Sequence, residues 1–158
     1  MVRLVPMTET EFQAYLEYDV QRCAQEHIKA GDWNPSEALG KSREEHQRLL
    51  PHGLASKNQY LLSIEAEGLG TKLGMIWFAV HDTGQHPSVF VYDLLIHEEF
   101  RRRGYGTQAL IALEEKVRSL GIDTISLHVF AHNQPARALY EKLGYKTKGH
   151  NMSKRLPR

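Results

Sequence analysis

At 158 residues, 41% hydrophobic and 25% charged, the chain has the make-up of one ordinary globular domain, expected to span residues 1–158. A domain of this size hides roughly 70% of the surface its unfolded chain exposes, so it needs no disulfide or metal to hold a core. Twenty basic against 19 acidic residues, a net charge of +1, argue against a protein whose main task is to coat nucleic acid or an anionic membrane.

The one cysteine, Cys23, excludes a disulfide within the chain and fits a reducing compartment. The N-terminal residues lack the long apolar core of a signal peptide. The longest nearly apolar stretch, Leu73 to Val80, is far below the ~20 residues that span a bilayer. A soluble cytoplasmic protein with no membrane partner is therefore expected. No repeat, low-complexity tract or linker suggests a domain boundary.

Val2 to Val5 is short and β-prone, and Pro6 ends it. Thr8 stands three residues before Glu11, the spacing of a capping box. Phe12, Tyr15, Leu16, Val20, Cys23 and Ile28 follow at helical intervals, which predicts an amphipathic helix over 9–29 stopped by Gly31. A loop through Trp33 leads to a more polar helix over 37–50. Residues 59–65 and 73–81 read as strands, the second apolar on both faces and hence central. Turns are expected at 67–71 and 82–84. A third strand spans 89–96, and its alternation breaks at Leu94-Leu95-Ile96. A bulge, a splay, or burial on both faces would each explain that break.

Residues 106–120 form a helix with Ala109, Leu110, Leu113 and Val117 on one side, closed by Gly121. A strand over 124–130, a short helix over 134–143 capped by Asn133, and a last strand over 145–152 complete the chain. This order predicts an α/β layered domain, a mixed sheet flanked by helices, with strands 89–96 and 124–130 parallel across a helical crossover.

The segment Arg101-Arg102-Arg103-Gly104-Tyr105-Gly106-Thr107 follows a strand and opens a helix. The first turn of a helix leaves N–H groups without partners and carries about half a positive charge. Glycines let that backbone approach an anion, with phosphate or pyrophosphate the natural guest. The plain alternative is a solvated basic turn. Gly104-x-Gly106-x-x-Ala109 formally matches a dinucleotide fingerprint, but His97 to Arg103 separate it from the strand and no acidic residue ends the next one. A Walker loop lacks its Gly-Lys-Ser/Thr end.

The run Tyr92 to Gly106, with Arg101, Gly104 and Gly106 in a Gln/Arg-x-x-Gly-x-Gly/Ala pattern, resembles the core motif of the GNAT superfamily of N-acetyltransferases, in its bacterial single-domain form. Asn133-x-x-Ala136-x-x-Leu139-Tyr140-Glu141-Lys142-Leu143-Gly144-Tyr145 is similar to that family's Asn…Leu-Tyr-Glu-x-x-Gly-Phe/Tyr segment. The two stand in the family's order, one helix and one strand apart. The resemblance implies the GNAT acyl-CoA N-acyltransferase fold, with a splayed strand pair in a mixed central sheet. It implies acetyl transfer from acetyl-CoA directly to a primary amine on a small molecule, peptide or protein. A catalytically silent acyl-CoA-binding sensor is the alternative. A nucleic-acid module using Arg101 to Arg103 lacks interleaved aromatics and broad basic charge. The protein is expected to act as a monomer or homodimer.

In that family reading, 101–107 hold the CoA pyrophosphate. Leu94, Leu95 and Ile96 offer backbone groups to the pantetheine arm, and an N–H of Leu95 or Ile96 polarises the thioester. Tyr140 protonates the departing sulfur, or is a core aromatic. Asn133 lies beside the pantetheine arm, caps a helix, or does both. The amine must lose a proton, and Asp93, His128 or a water relay can take it. Trp33 borders the acceptor pocket or anchors its loop.

A metal is not expected. His97-Glu98 begins a zinc motif, but position 101 is Arg, and His128 and His132 do not share a helix face. Cys23 is expected to pack on the apolar stripe of the first helix.

Overall fold

A computed structural model of the chain describes residues 1–82, 84 and 86–157. The elements run β1 (Val2–Pro6), α1 (Glu9–Ala30), α2 (Ala38–Leu49), β2 (Gln59–Ala66), β3 (Lys72–His81), β4 (Ser88–Ile96), α3 (Tyr105–Ser119), β5 (Ile125–Leu127) and α4 (Gln134–Lys142). The sheet order is β1-β2-β3-β4-β5. The first three pairings are antiparallel and β4 pairs β5 in parallel. A meander followed by one helical crossover gives the mixed sheet that the element order predicts.

Local signals place the ends of α1. Thr8 accepts from the Glu11 N–H while the Glu11 carboxylate accepts from the Thr8 N–H, and Gly31 closes the helix in a left-handed conformation. One sheet face carries Leu62, Ile76, Phe78, Val89 and Val91 against Leu110, Leu113 and Val117 of α3. The other carries Leu61, Met75 and Trp77 against Phe12 and Tyr15 of α1. β3 is buried on both faces, as its sequence predicts, and the Trp77 indole donates to Gln59 Oε1 at 2.8 Å.

β4 departs from the expected pattern in an informative way. Trp77 faces Asp93 and Phe78 faces Val91, so Tyr92 is an extra residue, a β-bulge. Val89 and Val91 point to α3. Tyr92 then joins the α1 face, and Asp93 follows it there, accepting from the Tyr15 hydroxyl. Leu94 and Ile96 return to the α3 side, and Leu95 to the α1 side. The bulge thus lies upstream of Leu94, and the three apolar residues alternate normally on a strand buried from both sides. β5 accompanies β4 only from Val89 to Val91. The two strands part there, which leaves residues 92–96 without a strand partner on that edge among the described residues.

Three other expectations are corrected. β5 ends at Leu127, short of 130, so His128 falls just beyond the strand. Residues 145–152 form no strand. From Lys146 to Met152 every side chain is exposed, and Thr147 is the one β-branched residue. With no apolar face to bury, pairing there has little to offset its ordering entropy. Cys23 is half-buried and lies outside the fully buried core. Of the turn expected at 82–84, Thr83 lies outside the described residues.

Candidate active site

The end of β4 and the start of α3 assemble two sets of unused backbone groups. His97 donates its N–H to Leu73 O at 2.8 Å. In an antiparallel ladder alternate residues face the partner, so Leu95 also turns its N–H to β3. Leu94 and Ile96 turn theirs to the edge that β5 has left. The outward Ile96 carbonyl accepts from Arg101 Nε at 2.8 Å, which ties the following loop back to the strand.

Gly104 is the N-cap of α3, with φ +81°, and no side chain caps the helix. Gln108 donates to Gly104 O, which leaves the N–H groups of Tyr105, Gly106 and Thr107 without helical acceptors. Arg101, Arg102, Arg103 and Gly104 are exposed around this opening. A β-carbon on Gly106 would stand 3.2 Å from Leu139 Cδ2. The start of α3 therefore packs closely on α4, the helix that carries Tyr140.

Tyr140 is half-buried against the α3-side core. Burial, with a smaller contribution from the Asp93 charge, pushes its hydroxyl up to about 12. Asn133 caps α4, its Oδ1 accepting from the Ala136 N–H at 3.3 Å, so the side-chain amide N–H groups are left for another partner. His128 is exposed, its ring edge-on to Phe130. His128 and Tyr140 line one open cleft of about 1320 Å³ between the β5 segment and the chain after α4. Trp33 is half-buried and stacks on His27 with ring centroids 3.9 Å apart, which occupies one of its faces.

Asp93 belongs to a buried network that crosses three elements. Its Oδ2 accepts from Tyr15 at 2.7 Å and from Arg22 at 2.5 Å. Arg22 also pairs with Asp19, and Asp19 Oδ2 lies 2.8 Å from His46 Nε2. His46 Nδ1 reaches Ser42 O at 2.8 Å. Burial raises the Asp93 pKa above the ordinary carboxylate value, against the pull of Arg22. Burial also acts to raise Asp19, but hydrogen bonds and charge from His46 and Arg22 hold it below its ordinary value. Two carboxylates share one guanidinium here, so a proton on His46 brings the cluster to neutrality. His46 accordingly sits above its ordinary value: burial opposes the charge, and Asp19 with the Ser42 carbonyl more than offsets it.

The sequence reading places Tyr15 on the apolar stripe of α1 but assigns neither it nor Asp19, Arg22 or His46 to the site. Tyr15, Asp19 and Arg22 fall at i, i+4 and i+7, so two charged residues occupy the stripe that α1 buries. That interruption was the available signal.

Comparison with known proteins agrees with this architecture. The acetyltransferase (GNAT) family model matches residues 21–145. The chain is 41% identical over 157 residues to the uncharacterized N-acetyltransferase YycN of Bacillus subtilis (strain 168), an alignment covering 98% of this chain and 99% of that one. It is 36% identical over 153 residues to the uncharacterized N-acetyltransferase YdgE of the same organism, covering 97% of each. The crystal structure of YycN matches all of both chains with a TM-score of 0.94 at 39% identity. The match runs from the middle of α1 through the parted strands to Tyr145, and it establishes that the chain belongs to the acetyltransferase (GNAT) family.

Proposed function

We propose that this family member is a single-domain enzyme that transfers an acetyl group from acetyl-CoA directly to a primary amine on a small molecule, peptide or protein. The observation that carries this reading is the pairing of a bare strand edge beyond Val91 with an uncapped, arginine-flanked helix start at Gly104. Acetyl-CoA supplies an activated acyl thioester, a pantetheine arm with amide groups, and a pyrophosphate.

The N–H groups of Tyr105, Gly106 and Thr107, with Arg102 and Arg103 alongside, hold the pyrophosphate. Arg101 acts mainly by fixing the loop to Ile96 O. The outward N–H groups of Leu94 and Ile96 pair with the pantetheine amides or polarise the thioester carbonyl; Leu95 packs. Asn133 offers its free amide to the same arm. Asp93 takes the amine's proton, because burial has raised its affinity for one and Tyr15 and Arg22 fix its position. His128, exposed beyond β5, serves an acceptor that enters through the cleft it shares with Tyr140. Trp33 frames the acceptor side through its stack on His27.

Tyr140 keeps its proton at neutral pH. Full transfer from a hydroxyl at about 12 to a thiolate with an ordinary pKa of about 8.5 is uphill. Tyr140 therefore acts chiefly by donating a hydrogen bond as the sulfur departs. None of the described helices is long and apolar enough to cross a membrane, which is compatible with action in the cytoplasm.

A free-thiol release assay across amines and peptides tests the proposal. At least one acceptor should give turnover above hydrolysis. Tyr140→Phe should slow turnover about 10²-fold, as loss of a donor to a developing anion does, with acetyl-CoA affinity nearly unchanged. Binding without turnover on any acceptor would identify a sensor instead, and an undiminished Tyr140→Phe rate would remove Tyr140 from the mechanism.

A further inference from the structure

Away from the β4–α3 site, Cys23, His27 and Glu45 bring a thiol, an imidazole and a carboxylate together. One donor atom from each lies within 4.8 Å of the other two, and all three side chains are half-buried. Cys23 and His27 stand one turn apart on the same face of α1. Glu45 reaches across from α2. No such motif is legible in the order of residues, because the third donor arrives only through helix packing.

We propose that Cys23, His27 and Glu45 form a binding site for a divalent, zinc-like cation that clips α1 to α2. Bond lengths of about 2.0–2.3 Å at tetrahedral angles put two donors roughly 3.3–3.8 Å apart. From 4.8 Å or less, the donors need close by about 1 Å, within the reach of small side-chain rotations. On binding, the Cys23 thiol releases its proton to solvent and the sulfur coordinates as thiolate. One His27 nitrogen gives its lone pair, Glu45 gives an oxygen, and water fills the fourth position. The thiolate and carboxylate together balance the ion's two charges. Sulfur with imidazole selects zinc over calcium or magnesium.

A further feature is independent of the donor cluster. His27 Nδ1 lies 3.0 Å from Asp32 Oδ2, and a carboxylate on one nitrogen of a metal-bound imidazole orients the ring and makes the other a better donor. The His27 ring is also held by its stack on Trp33 and its edge contact with Phe130. Arg22, the neighbouring cation on α1, is taken by Asp19 and Asp93. An ion here would brace the last turns of α1 and the loop that carries Trp33.

The test uses the untagged full chain, stripped of metal, titrated with Zn2+ in a calorimeter and with Co2+ in a spectrophotometer. One equivalent of Zn2+ should bind with a Kd of about 1 µM or tighter and raise the Tm. The Co2+ complex should show a thiolate-to-cobalt band in the near ultraviolet. Cys23→Ser should abolish that band, and Cys23→Ser and Glu45→Gln should each weaken Zn2+ roughly tenfold or more. Glu45→Gln keeps shape and volume, so it reads the ligand role if the cysteine variant folds poorly. His132→Ala, which removes a separate imidazole–carboxylate pair, that with Glu26, should leave affinity unchanged. The proposal is overturned if no one-equivalent binding occurs, if Cys23→Ser and Glu45→Gln bind as wild type, or if His132→Ala alone loses the ion.

Discussion

Gly74 of β3 lies opposite Ile96, and a β-carbon there would stand 1.9 Å from Leu95 O, 2.8 Å from Leu95 C and 2.9 Å from Ile96 Cα. These are backbone atoms, so no side-chain rotation relieves the clash. Reaching ordinary contact requires β3 and β4 to move apart by roughly 1.3 Å at this point, enough to break adjacent ladder bonds. Losing two such bonds costs about 1–3 kcal/mol, and overpacking adds about 1–3 kcal/mol. Gly74→Ala should therefore destabilise by about 2–6 kcal/mol, a large share of a typical domain's stability, and lower the Tm by roughly 10 °C. It should also shift the Ile96 N–H and depress thiol release in whatever fraction stays folded. Urea denaturation gives the stability and the thiol assay gives the rate. Gly40→Ala is the control: α2 leaves open space there, and the change should stabilise by about 0.5–1 kcal/mol. Gly74→Ala within about 0.5 kcal/mol of wild type and with full turnover would refute both the close approach and the role given to this edge.

Gly104→Asp should raise the acetyl-CoA Kd at least 100-fold, because it sets a negative charge at the proposed phosphate site and strains a residue at φ +81°. Gly104→Ala carries the strain alone and should lose far less affinity; equal losses in calorimetry would show that charge at this position is irrelevant. His46 has its folded pKa raised, so its stabilisation is fully present below the unfolded value near 6.5 and fades as pH rises through the folded value. Thermal melts from about pH 6 to pH 8 should show wild type losing stability relative to His46→Gln; parallel curves would mean that Asp19, the Ser42 carbonyl and Glu45 do not draw a proton onto His46.

The helix ends, including those around the candidate site, were legible because their signals are local. The capping box at Thr8, the glycine at 104 and the Asn133 cap each depend on a few neighbouring residues, and the structure places all three at helix ends. The β4–α3 junction and α4 follow the two motifs that carried the family resemblance. The missing strand over 145–152 shows the reverse case. A stretch of that length is compatible with a strand until one asks what it would bury, and here no apolar face supplies an answer.

What the amino-acid order determined by itself was the four helices and their ends, since helical period and cap chemistry act over one or two turns; strand existence and length were not fixed this way, as the absent strand over 145–152 and the short β5 show. The face to which Asp93 points was decided only in the folded sheet. A single unpaired residue, Tyr92, reverses the side-chain parity of everything after it, and that extra residue exists only relative to Trp77 and Phe78 on the neighbouring strand. The Asp93–Arg22–Asp19–His46 network and the Cys23–His27–Glu45 cluster likewise combine side chains from separate elements. Short-range periodicity does not encode such meetings, because they depend on how whole helices and strands dock.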